Sequence, residues 1–427
     1  MRILIISPLF PPQGSGAEIS TMLECKELVE NDVSLVVVTN SSLSLKRDDE
    51  WMKKIRIYRI PMPFISFVYP SVKPFGEFLY WLFQGQSWDI IEKIALRENA
   101  DVLHIEHAFI GFKTSLNNKP IVLTIRDYWP ICIYRTLWRG DGVCDACSFK
   151  GIVDCRRMNY IKIGLAGFSR LLYGSLSPPI IYPLSLVFYR LFKEKLMQVD
   201  KIVTISTYLK DKLKRTLNIK ESLLEVVYPP IPRFPYVQRE VNSQRTPISF
   251  TYFGSLAVHK GILNLLKAFA LAIRKSPDIR LNICGTGILQ HYIEDFIQKY
   301  SLGKNVTLLG HVKYRDLIKI YKITDIVVVP SLWPEPFGRV VCEALVAGRP
   351  VLVNPVGGLK EQIIDGFNGF HVNCYDTDEF AEGIIKISEM SRQKLLQMGL
   401  KAREDVLRRF SSEKRIRNLL KIYDSLI

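Results

Sequence analysis

Two glutamates eight residues apart, Glu335 and Glu343, flank the turn Pro336-Phe337-Gly338-Arg339, a spacing that could hold a phosphorylated, polyhydroxylated ligand. Ahead of them, Ile326-Val327-Val328-Val329 is a β-branched run closed by Pro330, the pattern of a buried parallel strand. Behind them, Val340 to Val346 is apolar and ends near Gly348, the pattern of a helix with a C-terminal stop. Glu335 therefore falls in the loop beyond a strand's carboxyl end, and Glu343 about two turns into the next helix. Open α/β sheets bind ligands at that edge. A helix start at Phe337-Gly338 offers unpaired N–H groups and partial positive charge, which suit a diphosphate. Ionised carboxylates beside it accept from sugar and ribose hydroxyls. Either glutamate alone reads better as a solvated charge. The pair, followed by Gly348-Arg349-Pro350-Val351, favours a sugar nucleotide.

Other predicted strand ends carry compatible groups. After Ile248 to Phe253, the loop Gly254-Ser255-Leu256-Ala257-Val258-His259-Lys260-Gly261 enters a helical run, Ile262 to Ile273. Gly254 permits close backbone approach and Lys260 supplies a cation. Cys284-Gly285-Thr286-Gly287 and Gly310-His311-Val312 close two further strands, with glycines where a nucleotide could meet the main chain. In the N-terminal half, Gly14 and Gly16 lie in a turn before a helix, while His104, Glu106 and His107 end one strand and Arg126-Asp127 another. Read alone, each of these is equally an ordinary turn, a core histidine at His104, or an Arg126–carboxylate ion pair.

The elements that must position these groups fall into two series. In a chain of 427 residues with 48% hydrophobic content, two domains of about 200 residues are expected. Strands are predicted at Ile3 to Ile6, Ser34 to Thr39, Val102 to Ile105, Ile121 to Ile125 and Lys201 to Ile205, with helices at Leu23 to Glu30 and Leu209 to Leu217. The proline-dense stretch from Tyr228 to Pro235 reads as a linker. The alternation then restarts with Ile248 to Phe253, Ile279 to Cys284, Val306 to Leu309, Ile326 to Val329 and Val351 to Val353, a second parallel sheet. Ser391 to Ile427 reads as amphipathic helix. The boundaries expected are 1–228, a linker 229–246, a second domain 247–405 and a tail 406–427.

The Glu335 to Glu343 segment resembles the Glu-x7-Glu motif of the retaining glycosyltransferases of family 4, and the likeness runs along nearly the whole chain. The resemblance implies an α/β protein of GT-B architecture: two facing Rossmann-like domains with a C-terminal helix crossing back to the first. It also implies a nucleotide-diphosphate sugar as donor and a saccharide or lipid-linked saccharide as acceptor, with no metal or cofactor required for catalysis. Glu335 would then hold the transferred sugar and Glu343 the ribose. Gly254, Ser255, Lys260, Gly285, Gly287, His311, Val312, Phe337, Gly338 and Arg339 would contact the donor, with Gly14 and Gly16 facing it across the cleft. His107, in preference to His104, would approach the sugar; Arg126 and Asp127 become acceptor-side candidates. Two departures stand out: Ser255 occupies a place where relatives often carry arginine, for which Arg339 could compensate, and Arg126 one where many carry histidine. Gly357-Gly358-Leu359-Lys360-Glu361 matches a downstream Gly-Gly turn of the family.

The formal charge of +16 calls for an anionic partner. With no nucleic-acid-reading motif, the candidates are phosphate-bearing substrates and anionic lipid, and nucleic acid is not expected. Residues 156–195 carry seven basic residues and one acidic, interleaved with aromatics, which suits either a membrane surface or core helices with a basic rim. No apolar run reaches the roughly 20 residues needed to span a bilayer, so the expectation is a cytoplasmic chain, peripheral at most on the inner membrane face. Cys132, Cys144, Cys147 and Cys155 cluster in one loop and read as a structural zinc site, free thiols or a redox pair; the other cysteines read as core. Beside the glycosyltransferase reading stand two others: an epimerase or phosphorylase on the same architecture, and a non-catalytic binder of anionic lipid or glycan.

Overall fold

A computed structural model describes residues 1–7, 10, 16–40, 50–61, 85–106, 118–132, 136–138, 142–144, 190, 193–231, 235–240 and 247–427. In the first domain, seven parallel strands order as β3-β2-β1-β4-β5-β6-β7. They are β1 (Arg2–Ile6), β2 (Ser34–Asn40), β3 (Arg56–Ile60), β4 (Val102–Glu106), β5 (Ile121–Ile125), β6 (Lys201–Thr204) and β7 (Leu224–Val226). The central strands β1, β4 and β5 are buried almost throughout, as two helix-covered faces require. The helices described are α1 (Gly16–Glu30), α2 (Gly85–Arg97) and α3 (Thr207–Leu217). Edge strands β3 and β7 escaped the sequence reading, because Arg56-Ile57-Tyr58-Arg59-Ile60 and Leu224-Glu225-Val226 are short and carry charge.

The second sheet orders as β10-β9-β8-β11-β12-β13. Its strands are β8 (Ser249–Phe253), β9 (Arg280–Cys284), β10 (Val306–Gly310), β11 (Ile326–Val329), β12 (Val351–Val353) and β13 (Gly369–His371). All pairs are parallel. Strand order reverses between β8 and β11, so the loops leaving these two neighbours diverge and open a crevice. Helices α4 (Ile262–Lys275), α5 (Gln290–Lys299), α6 (Leu317–Lys322), α7 (Arg339–Val346), α8 (Leu359–Gln362) and α9 (Thr377–Ser388) complete this Rossmann-like domain.

The described part of the linker is docked rather than free. Arg239 makes a two-pronged ion pair with buried Asp325, at 3.0 and 3.2 Å, and Val237 is buried. The tail forms two helices, α10 (Arg392–Arg409) and α11 (Ser412–Asp424), broken at Phe410-Ser411, where Ser411 caps the second through Lys414 N–H. α11 returns to the first domain: Ile416, Leu419, Ile422 and Tyr423 join the core between α1 and the sheet. The chain is thus an α/β protein of GT-B architecture. The two domains also share apolar packing, with Tyr128 and Trp129 in one continuous cluster with Phe337 and Val341.

Candidate functional site

The crevice at the switch point brings Lys260 and Glu335 together. Lys260 ends the loop after β8, and Gly261, at φ 73°, turns the chain into α4. A Cβ at Gly261 would lie 1.8 Å from the carbonyl oxygen of Pro330, so only glycine lets the two loops close. Glu335 follows β11. Its Oε1 accepts three hydrogen bonds: from Lys260 Nζ at 2.6 Å, Ser331 Oγ at 2.8 Å and Trp333 Nε1 at 2.8 Å. Among the described residues no donor reaches Oε2. One oxygen is thus fixed by the protein. Lys260 also stands 4.7 Å over the Trp333 ring.

The turn carrying Glu335 is held by the Gly357-Gly358 segment. Gly358 N–H donates to the Glu335 carbonyl at 2.7 Å, and a Cβ on Gly357 (φ 59°) would fall 2.4 Å from that oxygen. Gly338 (φ 87°) then starts α7. On α7, Glu343 is 8% exposed and its Oε1 accepts from Arg339 Nε at 2.8 Å. Burial raises the Glu343 carboxyl above its ordinary value, and Arg339 partly offsets this. Arg339 reaches across the cleft as well, donating from Nη1 to the Gly16 carbonyl at the start of α1 at 3.1 Å. Its guanidinium lies 5.7 Å from the Tyr314 ring, and its buried Nη2 has no hydrogen-bond partner among the described residues.

Gly254, Ser255, Gly285, Gly287, His311 and Val312 line the neighbouring strand ends. Gly285 packs so closely that a Cβ would sit 1.8 Å from the Gly254 carbonyl, and Gly285 N–H donates to Gly310 at 2.7 Å, which joins three loops into one rim. Ser255 and His311 are exposed on it, while Val312 is half-buried. Phe337 differs: its side chain is 3% exposed and packs on Tyr228 and Phe410, so only its main chain faces the turn.

His104, Glu106 and Arg126 lie elsewhere, in the core of the first domain beneath α11. His104 is fully buried, with Nδ1 2.6 Å from Tyr423 Oη and Nε2 2.7 Å from Thr124 Oγ1. Burial lowers it to about 4, so the ring is neutral. Arg126 Nε donates to Glu106 Oε2 at 2.7 Å and Nη2 to Glu24 Oε2 at 3.3 Å. Arg415 of α11 donates to Glu24 at 3.0 Å and Glu27 at 2.8 Å. His104 and Arg126 therefore have no route to a ligand in the cleft: the first is the core histidine, and the second the ion pair, that the sequence left open. Glu24, His104 and Glu106 have ligand atoms within 4.8 Å of one another, but Arg126 pairs with both carboxylates, Arg415 with Glu24, and Tyr423 and Thr124 engage the ring nitrogens, so positive charge already stands where a cation would.

Asp127 is half-buried and accepts from Trp129 N–H at 2.8 Å. Gly14, His107, Cys147 and Cys155, and nearly all of 156–195, lie outside the described residues. Of the cysteine loop, Cys132 Sγ accepts from Leu137 N–H at 3.4 Å and Trp138 enters the second domain's core. The sequence reading passed over four groups. Ser331 and Trp333 sit four and two residues before Glu335, inside the motif but without a signal of their own. Tyr128 donates across the domains to the Pro334 carbonyl at 2.7 Å. Glu361 also spans them, accepting from Thr207 and Tyr208 N–H at the start of α3 at 3.0 and 2.7 Å and from Tyr228 Oη at 3.0 Å.

Comparison with known proteins follows this division. Residues 14–233 match the family model described as Glycosyltransferase Family 4, and residues 237–405 that of Glycosyl transferases group 1. An uncharacterized glycosyltransferase of Methanocaldococcus jannaschii is 31% identical over 198 residues, 44% of this chain and 50% of that one. The chain spans about half the length of that curated relative. Among solved structures, sucrose-phosphate synthase of Thermosynechococcus elongatus superposes with a TM-score of 0.69 at 18% identity, covering 100% of this chain and 98% of that one. Anabaena HepE in complex with UDP superposes with a TM-score of 0.65 at 17% identity, covering 100% of both.

Proposed function

The chain belongs to glycosyltransferase family 4, and from that premise we propose that it moves a hexose-type sugar, with retention, from a nucleotide diphosphate to a hydroxyl of a saccharide or lipid-linked acceptor. The observation that carries this reading is Glu335, whose Oε1 is fixed by Lys260, Ser331 and Trp333 at the switch point while no described donor engages Oε2. The donor's diphosphate lies at the start of α7, where unpaired N–H groups and Lys260 meet it. On binding, Lys260 exchanges its bond to Glu335 for a phosphate oxygen, and Glu335 Oε2 takes a sugar hydroxyl. Glu343 takes the ribose hydroxyls. Arg339, with an idle buried N–H, supplies the second cation that Ser255 does not.

As the glycosidic bond to the diphosphate lengthens, positive charge grows on the anomeric carbon and negative charge on the leaving oxygen. Lys260, Arg339 and the helix start stabilise the latter, so most of the acceleration is electrostatic and positional, without a catalytic metal. Tyr128, Glu361 and Arg339 hold the domains closed over the crevice, which excludes water from the donor. By the resemblance to the family, His107 and Gly14 act on the sugar and donor and Asp127 on the acceptor. Relatives bound to UDP support a nucleotide-sugar donor. A role in cell-surface polysaccharide synthesis, peripheral on the inner membrane face, agrees with the basic charge; among the described residues no helix is long and apolar enough to cross a membrane.

The test is a panel of UDP-, GDP- and ADP-sugars scored for nucleotide release with and without cell-envelope glycans. Acceptor-dependent release that falls by roughly 100-fold or more in Glu335→Ala is expected. An altered sugar without release would mark an epimerase, release that needs only phosphate a phosphorylase, and no turnover with any donor a binding protein.

A further inference from the structure

On the outer face of the second domain, away from the crevice, α4 and α5 border a cavity of about 490 Å3, within the roughly 300–1,000 Å3 of small-molecule sites. One wall is aromatic. Tyr292 and Phe296 on α5 and Tyr300 at its C-cap recur every four residues and line one wall. Tyr292 and Tyr300 are 50% and 48% exposed, and the rings of Phe296 and Tyr300 lie 4.4 Å apart. The other chemistry is cationic: Lys267 and Arg274 from α4, and Lys299, which lies 5.6 Å over the Tyr300 ring. Among the described residues none of the three is paired with a carboxylate, although Asp295 stands in the same wall.

We propose that this groove binds an acidic oligosaccharide at a site separate from the crevice. Exposed tyrosine rings offer flat apolar faces for the C–H side of a sugar ring while their hydroxyls remain wet. Three cations against one carboxylate around a concave wall favour an anionic ligand. The Asp295 carboxylate accepts only and so favours a ligand that also donates hydrogen bonds, which a saccharide does along its length and a phosphodiester backbone does not. The ten residues of α5 span about 15 Å, short of the track a nucleic-acid strand occupies. Lys267 and Arg274 lie about 8 and 18 Å along α4 from its first residue, Ile262, which follows Lys260 and Gly261. On the proposed function, the groove would hold a distal part of an acceptor chain and raise its effective concentration at the crevice. The binding itself does not depend on that reading.

Calorimetric titration of the full chain with a hexamer of galacturonate, a sulfated maltohexaose and neutral maltohexaose tests the proposal. At least one acidic hexamer is expected to bind at least tenfold more tightly than the neutral one, and the two acidic arms tell carboxylate from sulfate. Tyr300→Ala and the double variant Lys267→Glu with Arg274→Glu should each weaken that binding tenfold or more with unchanged thermal melting, and Tyr300→Phe should retain it. Equal binding by these variants, equal binding of the neutral hexamer, or tighter binding of hexathymidylate would overturn the proposal. If no nucleotide sugar is turned over while the acidic hexamer still binds, the transferase reading fails and the groove stands.

Discussion

The three donors on Glu335 Oε1 differ in what their loss would do. Trp333→Phe keeps a ring beneath Lys260 but removes the indole N–H, and a hydrogen bond to a charged acceptor contributes about 1.5–3 kcal/mol. If Glu335 must be held for the sugar, kcat/KM for the donor should fall roughly 10- to 100-fold with little change in melting; a change under about twofold would show that Ser331 and Lys260 suffice. Arg339→Met removes the cation at the start of α7, and steady-state kinetics should give a donor KM raised on the order of tenfold, with Arg339→Lys intermediate. An unchanged KM in Arg339→Met would rule out a phosphate contact. The places of Lys260, Glu335 and Glu343 in the fold were legible because strand, turn and helix signals bracket them closely in sequence. Ser331 and Trp333 were not, because small polar and aromatic residues carry no mark of where they point. His104 and Arg126 sit at strand ends as cleft residues would, and only the return of α11 over them decides that they are core.

At the scale of elements, α11 is fastened by charge as much as by apolar packing. Arg415 is 4% exposed between Glu24 and Glu27, so Arg415→Met leaves buried carboxylates uncompensated and should cost about 3–5 kcal/mol, read as a lowered melting temperature. Among the described residues, Oε1 of Glu24 and of Glu106 has no donor beyond the neighbouring carboxyl, and the pair is faced by Arg126, Arg415, neutral His104, Tyr423 and Cys25. Burial, with the Glu106 charge beside it, raises Glu24 to about 7, while Arg126 keeps Glu106 low despite burial. The folded chain then binds a proton at Glu24 more tightly than the unfolded one. Stability from this group is complete below the ordinary carboxylate range and is lost as pH rises towards 7. Melting temperatures between pH 5 and 8 should fall for the native chain and change less for Glu24→Gln, whose amide cannot ionise; parallel profiles would remove Glu24 as the cause. The tail was legible as amphipathic helix from its periodicity, but its break at Phe410-Ser411 and its ionic seat were not. β13 was missed for a related reason: Gly369-Phe370-His371 becomes a strand only by pairing with β12.

For the whole molecule, the two-domain division was legible from the restart of strand–helix alternation after the prolines of 229–235. The fit between the domains was not, since it rests on pairs such as Tyr128 with Pro334, 206 residues apart, and Glu361 with Thr207, 154 apart. Such pairs have no local signature. Glu361 is the most consequential of them, because its carboxylate receives two N–H groups at the start of α3 while its own helix lies beside the Gly357-Gly358 turn that supports Glu335. Position of the Glu335 loop is thereby tied to the fit between the domains. Glu361→Ala removes the carboxylate cap, a loss of roughly 0.5–2 kcal/mol at a helix start, from the closed arrangement and not from the separate domains. The expected outcome is a more open pair of domains, seen as a larger radius of gyration in solution scattering. Kinetically, kcat and KM should change together and donor hydrolysis should rise relative to transfer, because water enters a crevice that closes less often. Unchanged scattering together with an unchanged ratio of hydrolysis to transfer would show that Glu361 caps α3 without governing closure, leaving Tyr128 and Arg339 as the contacts that do.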